Sequence, residues 1–131
     1  MRDPDFDVII VGGGIAGASL ARALSDSDLK TALVEAGSLV TGGLAAPAAA
    51  ASPGDFDARV SAITPASQAL LERLEAWSAL ARARLCPYRA MEVWDADGTG
   101  RISFDAAEVD APVLGHIIEN RLLTGALLEG L

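Results

Sequence analysis

Cysteine and histidine are nearly absent from this sequence, since each occurs once in 131 residues. The single cysteine, Cys86, excludes an internal disulfide and fits a reducing compartment, and its place beside Pro87 indicates a passive thiol. The single histidine, His116, lies within an apolar run and suggests a structural side chain. With so few nitrogen and sulfur ligands and no base to activate a serine, we predict neither a metal site nor a nucleophilic active site.

Positive charge is also scarce. Lys and Arg number 10 against 18 Asp and Glu, and the resulting net charge of -8 argues against binding to nucleic acid or to an anionic membrane surface. The longest apolar run, residues 44–51, is too short to span a membrane and is broken by Pro47. Residues 1–5 are acidic and lack the basic start of a signal peptide. We therefore expect a cytoplasmic protein of one domain, with no nucleic-acid partner and no transmembrane segment.

The most informative stretch is a glycine turn between a strand and a helix. Val8–Val11 is a β-branched run typical of a central parallel strand that is covered on both faces. Gly12, Gly14 and Gly17 follow with the spacing G-x-G-x-x-G. We assign Gly12 to the tight turn, Gly14 to close approach of a pyrophosphate, and Gly17 to close packing of the helix predicted over residues 18–24. The free N–H groups at the start of that helix, together with its dipole, predict an anion site.

A second predicted strand, residues 30–35, completes a βαβ unit over residues 6–35 and ends in an acid. Glu35 lies 18 residues beyond Gly17, where a carboxylate can accept hydrogen bonds from both hydroxyls of an adenosine ribose. The alternative is that Glu35 binds no ribose and is simply a solvated residue at the end of a strand. A carboxylate at this position disfavours a 2′-phosphate, so the pattern indicates a dinucleotide other than NADP.

The remainder of the chain predicts further α/β structure. Residues 36–57 are rich in Ala, Gly, Pro and Ser and predict a mobile surface loop. Thr64 and Pro65 predict the start of an amphipathic helix whose apolar face carries Leu70, Leu71, Leu74 and Trp77, followed by a second short helix or a continuation over residues 78–85. Alternating segments around Asp97 and Gly98 predict a β-hairpin.

The last predicted elements are a strand and a helix. Gly115–Glu119 predicts the strand, and Asn120 is placed as the N-cap of a helix that carries Leu122, Leu123, Leu127 and Leu128. The acidic turn over residues 95–100 superficially suggests a calcium loop. Ala106 stands where such a loop needs a bidentate glutamate, so we reject that interpretation.

Six blocks of the sequence resemble, in matching order, the start of the flavin-dependent hydroxylases of ubiquinone biosynthesis, relatives of para-hydroxybenzoate hydroxylase. The match runs nearly end to end and fails mainly in the alanine-rich loop. Within this family, the chain most resembles the 2-octaprenylphenol hydroxylase branch. The blocks are residues 7–17, 34–35, 57–63, 91–95, 102–105 and 115–120.

The resemblance implies an FAD-binding domain of Rossmann type, with a parallel sheet and an added hairpin. It places the ribose of FAD on Glu35 and puts Arg59 near the flavin and the pyrophosphate. A surface ion pair of Arg59 with Asp55 or Asp57 is the alternative. It also places Asn120 beside the cofactor, and a plain N-cap role is the alternative there. The ADP half is implied to lie on Gly12, Gly13, Gly14, Ile15, Ala16 and Gly17.

The implied reaction uses NAD(P)H and oxygen to hydroxylate the ring of a polyprenylated phenol. The flavin carries the chemistry, while the protein supplies position, electrostatics and exclusion of water. The expected location is the cytoplasm, with the periphery of the membrane as the alternative. Association with other proteins of quinone biosynthesis is a further expectation from the resemblance.

The chain also departs from this family, whose members are considerably longer. Two later cofactor motifs, a Gly-Asp motif and an Asp-Gly motif, have no counterpart here in a matching context. We therefore expect residues 1–131 to form the N-terminal part of an FAD-binding domain, incomplete at its C-terminal end and inactive alone. Two other interpretations stay open, an NAD-dependent Rossmann oxidoreductase and a non-catalytic nucleotide-binding module.

Overall fold

The computed structural model describes residues 5–39 and 56–131, which form mixed α/β structure. Most of the predicted loop over residues 36–57, from residue 40 to residue 55, lies outside the described residues. One turn of 3-10 helix, Ala106–Val109, lies between the last two strands. The strands and helices in chain order are β1 Val8–Val11, α1 Ile15–Leu24, β2 Thr31–Val34, β3 Val60–Ile63, α2 Pro65–Arg73, α3 Trp77–Arg82, β4 Cys86–Tyr88, β5 Ala90–Trp94, β6 Arg101–Asp105, β7 Gly115–Glu119 and α4 Asn120–Leu128.

The predicted βαβ unit is confirmed. β1 and β2 pair in parallel, from Val8 opposite Thr31 to Val11 opposite Val34, and α1 makes the crossover between them. Just before the two strands begin, the side chain of Asp7 adds a further link between them, since its Oδ2 accepts a hydrogen bond of 2.7 Å from the N–H of Lys30. This pairing brings the end of β2 beside the glycine turn that follows β1.

The expectation that β1 is covered on both faces is wrong. Ile10 is 7% exposed, whereas Ile9 and Val11 are 61% and 84% exposed. Successive side chains of a strand point to opposite faces, so one layer of helices buries only every second residue. α1 lies on the face of Ile10, and within the described residues the other face of β1 is open to solvent.

The other described strands form two antiparallel sheets. β7 is the centre of one sheet, with β3 on one side and β4 on the other. The sequence analysis did not predict β4, which contains Pro87. Proline is tolerated in this strand because β4 is an edge strand. β5 and β6 form the hairpin predicted around Asp97 and Gly98.

The four helices of the described residues enclose the main core together with the buried end of β7. α1 and α4 pack together through Ala18, and α2 and α3 add residues from the middle of the chain. Each fully buried leucine contributes about 1.5–3 kcal/mol to folding, and Leu80, Leu123 and Leu127 are at most 1% exposed. The larger buried members are Ile63, Leu71, Leu74, Leu80, Ile118, Leu122, Leu123, Leu127 and Leu128.

The predicted start of α2 is confirmed, but its apolar face is shorter than expected. Thr64 Oγ1 accepts a hydrogen bond of 3.3 Å from the N–H of Ser67, and Pro65 is the first helical residue. α2 then ends at Arg73, and the chain turns at Glu75, whose φ is +58°. Trp77 therefore belongs to α3, and Leu70 is 42% exposed.

The prediction that Asn120 is the N-cap of the last helix is wrong. Glu119 occupies the N-cap position, and Asn120 is the first residue of α4. The amide oxygen Oδ1 of Asn120 instead accepts a hydrogen bond of 2.6 Å from the hydroxyl of Ser61. The side chain thus links α4 to β3.

Candidate functional site

The glycine turn has the geometry that its spacing predicts. Gly12 has a φ of +105°, in the region that favours glycine, and its N–H donates to the carbonyl of Val34 at 2.7 Å. A Cβ on Gly17 would overlap the carbonyl oxygen of Gly12 and lie 3.3 Å from the side chain of Ile10. These two glycines therefore let α1 begin directly against the turn. A Cβ on Gly14 would meet nothing within 4 Å, so the backbone there borders open space.

Glu35 is joined to this turn. Its Oε2 accepts a hydrogen bond of 2.6 Å from the N–H of Gly13, and its Oε1 accepts one of 3.0 Å from the N–H of Gly37. The N–H of Gly37 and then that of Gly13 hold the pKa of the carboxyl group below its ordinary value of 4.5, because both donors stabilise the charged form. The acid is thus ionised at neutral pH and lies beside the start of α1.

A cleft of about 290 Å³ lies beside the turn and brings together five of the nine sequence-predicted site residues. Four others, Gly12, Ile15, Ala16 and Gly17, build the turn and the first turn of α1 and are not among the lining residues. Described residues that line the cleft are Gly13, Gly14, Glu35, Ser38, Leu39, Asp57, Arg59, Asn120, Arg121 and Thr124.

Arg59 and Asn120 lie next to each other in the lining of the cleft and form a second wall of it. The carbonyl of Arg59 accepts a hydrogen bond of 2.9 Å from the N–H of Asn120. The N–H of Arg59 donates to Oδ1 of Asp57 at 3.0 Å, so the carboxylate closes a local turn. Among the salt bridges of residues 5–39 and 56–131, none joins the guanidinium of Arg59 to Asp57. The alternative partner, Asp55, lies outside the described residues.

Glu119 and its two arginines are functional candidates that the sequence did not reveal. Glu119 is 6% exposed, and its Oε1 lies 3.0 Å from Nη2 of Arg84. Its Oε2 accepts hydrogen bonds of 2.9 Å from Nε of Arg121 and 2.9 Å from the N–H of Asp57. The only signal in the sequence was an acid at the end of an apolar strand, next to a helix, and that position does not identify its partners.

His116 and Cys86 are outside this cleft. The ring of His116 meets that of Trp77 edge to face, with centroids 5.3 Å apart, as expected for a structural histidine. Cys86 is an exposed free thiol on β4. In the described part of the chain, no group of three or more His, Cys, Asp or Glu side chains is placed to hold a metal ion.

Comparison with known proteins assigns the family. Residues 7–129 match the family described as FAD dependent oxidoreductase. The chain belongs to this family. The FAD dependent oxidoreductase match covers the glycine turn, Glu35 and both walls of the cleft, so the whole site described above lies within the family's region.

Relatives of this FAD dependent oxidoreductase chain confirm the resemblance to ubiquinone-biosynthesis enzymes. This chain is 36% identical over 131 residues to 3-demethoxyubiquinol 3-hydroxylase of Escherichia coli, and the alignment covers 100% of this chain and 31% of that protein. It is 38% identical over 130 residues to ubiquinone biosynthesis monooxygenase COQ6 of Xenopus tropicalis, covering 96% and 26%. It is 33% identical over 129 residues to ubiquinone hydroxylase UbiL of Rhodospirillum rubrum, covering 98% and 28%. The chain thus spans less than a third of the length of these relatives.

A solved structure supports the fold. The chain superposes on p-nitrophenol 4-monooxygenase PnpA from Pseudomonas putida DLL-E4 with a TM-score of 0.63 and 20% identity, covering 94% of this chain and 28% of that one. At this identity the likeness concerns the fold alone. None of the helices within residues 5–39 and 56–131 is both long and apolar enough to cross a lipid bilayer.

Proposed function

We propose that the cleft beside the glycine turn holds the ADP half of FAD, and that the chain is the N-terminal part of a hydroxylase acting on a polyprenylated phenol. The observation that carries this proposal is the hydrogen bond between Glu35 and the N–H of Gly13, made beside the open backbone at Gly14. It puts an ionised acid, an unobstructed backbone and the start of a helix on one wall of one cleft.

The turn fits a pyrophosphate. The space beside Gly14 is open, and a Cβ at this position would occupy part of it. The first turn of α1 supplies N–H groups that have no partner within the helix. Gly13 has another role in this proposal, because its N–H is already donated to Glu35. We therefore assign Gly13 to holding the acid, and the amides of Gly14, Ile15, Ala16 and Gly17 to the phosphates.

Glu35 fits the ribose of the adenosine half. Each of its two oxygens accepts one backbone N–H, and a carboxylate oxygen has a second lone pair that can accept a ribose hydroxyl. The negative charge would repel a 2′-phosphate, so the site should reject NADP. Family membership favours FAD over the NAD that the sequence alone left open.

The other wall supplies polar groups for the rest of the cofactor. The guanidinium of Arg59 is a good partner for phosphate oxygens, and we assign it to the pyrophosphate and the flavin side. Asn120 holds this wall together, since its N–H binds the carbonyl of Arg59 and its amide oxygen binds Ser61. Bound FAD would supply the redox chemistry, with NAD(P)H as the reductant and oxygen as the second substrate.

The substrate class comes from the relatives, two of which are named for hydroxylation in the ubiquinone series. We propose that the full-length protein hydroxylates the ring of a polyprenylated phenol, in the cytoplasm and at the membrane periphery, where such a substrate partitions. The likeness to the 2-octaprenylphenol hydroxylase branch and an association with other quinone-biosynthesis proteins stay predictions. Residues 1–131 alone should bind the cofactor without turning over.

A titration tests the cofactor assignment. The purified chain is titrated with FAD, ADP, NAD and NADP, and binding is followed by calorimetry. We expect FAD and ADP to bind, NADP to be rejected, and Glu35→Gln to weaken FAD binding by about tenfold because a charge-assisted hydrogen bond to the ribose is lost. Circular dichroism checks that the variant folds. A folded chain that binds NAD tightly and ignores FAD would overturn the proposal.

A further inference from the structure

We propose that Ser61 is a positioning residue of the cofactor cleft, which turns the side-chain amide of Asn120 so that its N–H groups are left for the cofactor. Asn120 then binds an oxygen atom of FAD as a hydrogen-bond donor. This inference rests on the proposed function, because it assigns the chemistry of one contact in the same cleft. The sequence analysis gave no role to Ser61, and Ser61 is not among the described residues that line the cleft.

The first step is the way in which Asn120 is held. Its backbone N–H donates to the carbonyl of Arg59 at 2.9 Å, and its Oδ1 accepts the hydroxyl of Ser61 at 2.6 Å. Ser61 is itself fixed, because it lies opposite Ile118 in the pairing of β3 with β7. The backbone and the side chain of Asn120 are thus both bonded to the same segment, so the amide group is held in one orientation.

The second step is the polarity of the contact with Ser61. Hydrogen bonds of the O–H···O type measure about 2.5–3.0 Å, whereas those of the N–H···O type measure about 2.7–3.2 Å. At 2.6 Å, the contact fits a hydroxyl that donates to the amide oxygen. An asparagine side chain has one acceptor oxygen and an NH2 group with two donors. Because Ser61 engages the oxygen, the NH2 group is the end that remains for a ligand.

The third step is the place of this NH2 group. Asn120 lines the cleft together with Thr124, and the two residues lie four positions apart on one face of α4. Nδ2 of Asn120 is not among the buried polar atoms that lack a partner within residues 5–39 and 56–131. No hydrogen bond among these residues uses it either. The NH2 group is therefore accessible, on a side chain that shares the cleft with the open backbone of Gly14.

The fourth step is the kind of group that this donor suits. The described lining of the cleft already carries the carboxylates of Glu35 and Asp57. An amide oxygen turned into the same space would add another acceptor and would repel the oxygens of a phosphate. An NH2 group attracts them instead. FAD offers such oxygens on its pyrophosphate and on its ribityl chain, and Ser61 keeps the attractive end of Asn120 in place before FAD binds, which lowers the ordering cost of binding.

Calorimetric titration of the 131-residue chain with FAD and with ADP tests the role of Ser61. We expect Ser61→Ala to weaken FAD binding about fivefold, because the amide is then free to turn its oxygen toward the cofactor. Ser61→Thr keeps the hydroxyl and should restore binding. Ser103→Ala is the matched control, since Ser103 is an exposed serine of β6, and it should leave binding unchanged. A loss for both ligands assigns the contact to the pyrophosphate, and a loss for FAD alone assigns it to the ribityl side.

Two variants of Asn120 test whether Ser61 acts through the amide. Asn120→Asp keeps an acceptor for the hydroxyl of Ser61 but replaces the NH2 group by a negative oxygen. It should weaken FAD binding at least about tenfold, while the circular dichroism spectrum stays that of the wild type. In an Asn120→Ala background, Ser61→Ala should have no further effect on FAD binding, because the group that Ser61 positions is absent.

The outcomes separate the inference from the proposed function. If Asn120→Asp bound FAD as tightly as the wild type, Asn120 would not act as a donor and the inference would be overturned. The same conclusion would follow if Ser61→Ala had no effect, or if it weakened binding equally with and without Asn120, since Ser61 would then only support the fold. In each of these cases the cofactor site stands. A folded wild-type chain that binds neither FAD nor ADP would overturn the proposed function and the inference together.

Discussion

Glu35 accepts a hydrogen bond of 2.6 Å from the backbone N–H of Gly13, a residue 22 positions earlier in the chain. This contact joins the end of β2 to the turn after β1, beyond the backbone pairing of the two strands. It also stabilises the charged form of the acid, together with the N–H of Gly37. The residue proposed to bind the ribose is therefore also part of the turn proposed to bind the phosphates.

Lowering the pH should weaken this connection. The pKa of Glu35 in the folded chain lies below its ordinary value of 4.5. Because the folded pKa is the lower one, the two hydrogen bonds stabilise the fold above pH 4.5, and this contribution is lost as the pH falls through the folded pKa. Unfolding of the wild type and of Glu35→Gln should be compared at pH values from about 7 to about 3. The advantage of the wild type should shrink below pH 4.5; a difference that stays constant over the whole range would contradict the prediction.

Two alanine substitutions in the glycine turn should differ in their effects: one should weaken FAD binding without lowering stability, and the other should lower stability. Gly14→Ala puts its Cβ into open space and should leave the melting temperature nearly unchanged, while weakening FAD binding at least tenfold. Gly17→Ala drives its Cβ into the carbonyl of Gly12 and should cost about 3 kcal/mol of stability. Thermal unfolding and FAD titration distinguish them. If Gly14→Ala bound FAD as the wild type does, the phosphates would not lie at this turn.

Removing Glu119 should destabilise the chain much more than removing an exposed acid of the same type. Glu119→Ala leaves Arg84, which is 17% exposed, without its partner, and should cost about 3 kcal/mol. Glu92→Ala breaks the exposed pair with Arg101 on the hairpin and should cost less than about 1 kcal/mol. Denaturant unfolding measures both costs. Equal costs would mean that burial adds nothing to the Glu119 network.

Replacing Glu75 by glycine should stabilise the chain. Glu75 has a φ of +58° just after α2, and its N–H and that of Ala76 donate back to the carbonyls of Glu72 and Leu71. A non-glycine residue in this conformation costs about 1–2 kcal/mol. The exposed contact with Arg22 that would be lost contributes less. We expect a gain of about 0.5–1 kcal/mol in unfolding free energy.

Glu72→Gly is the control for this prediction, because it changes the same residue type within α2. It should lower the unfolding free energy by about 1 kcal/mol, since glycine is a poor helix former. A loss of stability in both variants would show that the positive φ at Glu75 carries no cost.

The parts of the fold that local patterns determine were predicted from the sequence. The βαβ unit followed from β-branched residues, the glycine spacing and Glu35, and the helix start at Thr64 and Pro65 followed from capping chemistry. The exposure of Ile9 and Val11 could not be predicted in this way, because a strand's composition shows what it can bury and not whether a second layer covers it.

The sequence likewise predicted one part of the candidate site, the glycine turn with Glu35, and did not predict the contacts of Glu119. The glycines and Glu35 lie within one short unit, so their spacing fixes their geometry. Glu119, Arg84 and Arg121 come together through the pairing of strands and helices, and their spacing in the sequence gave no sign of the contact. Asn120 was assigned to the cap because its residue type favours caps, but a hydrogen bond from Ser61 engages its side chain.

The packing of α1 against α4 has a consequence for synthesis of the protein. Ala18 is buried against residues that the ribosome adds about a hundred positions later, and Arg22 donates to the carbonyl of Gly130. The nascent βαβ unit must therefore wait, with its apolar helix face uncovered, until α4 has left the exit tunnel. A pause in translation before that point would prolong the time during which this apolar face is exposed.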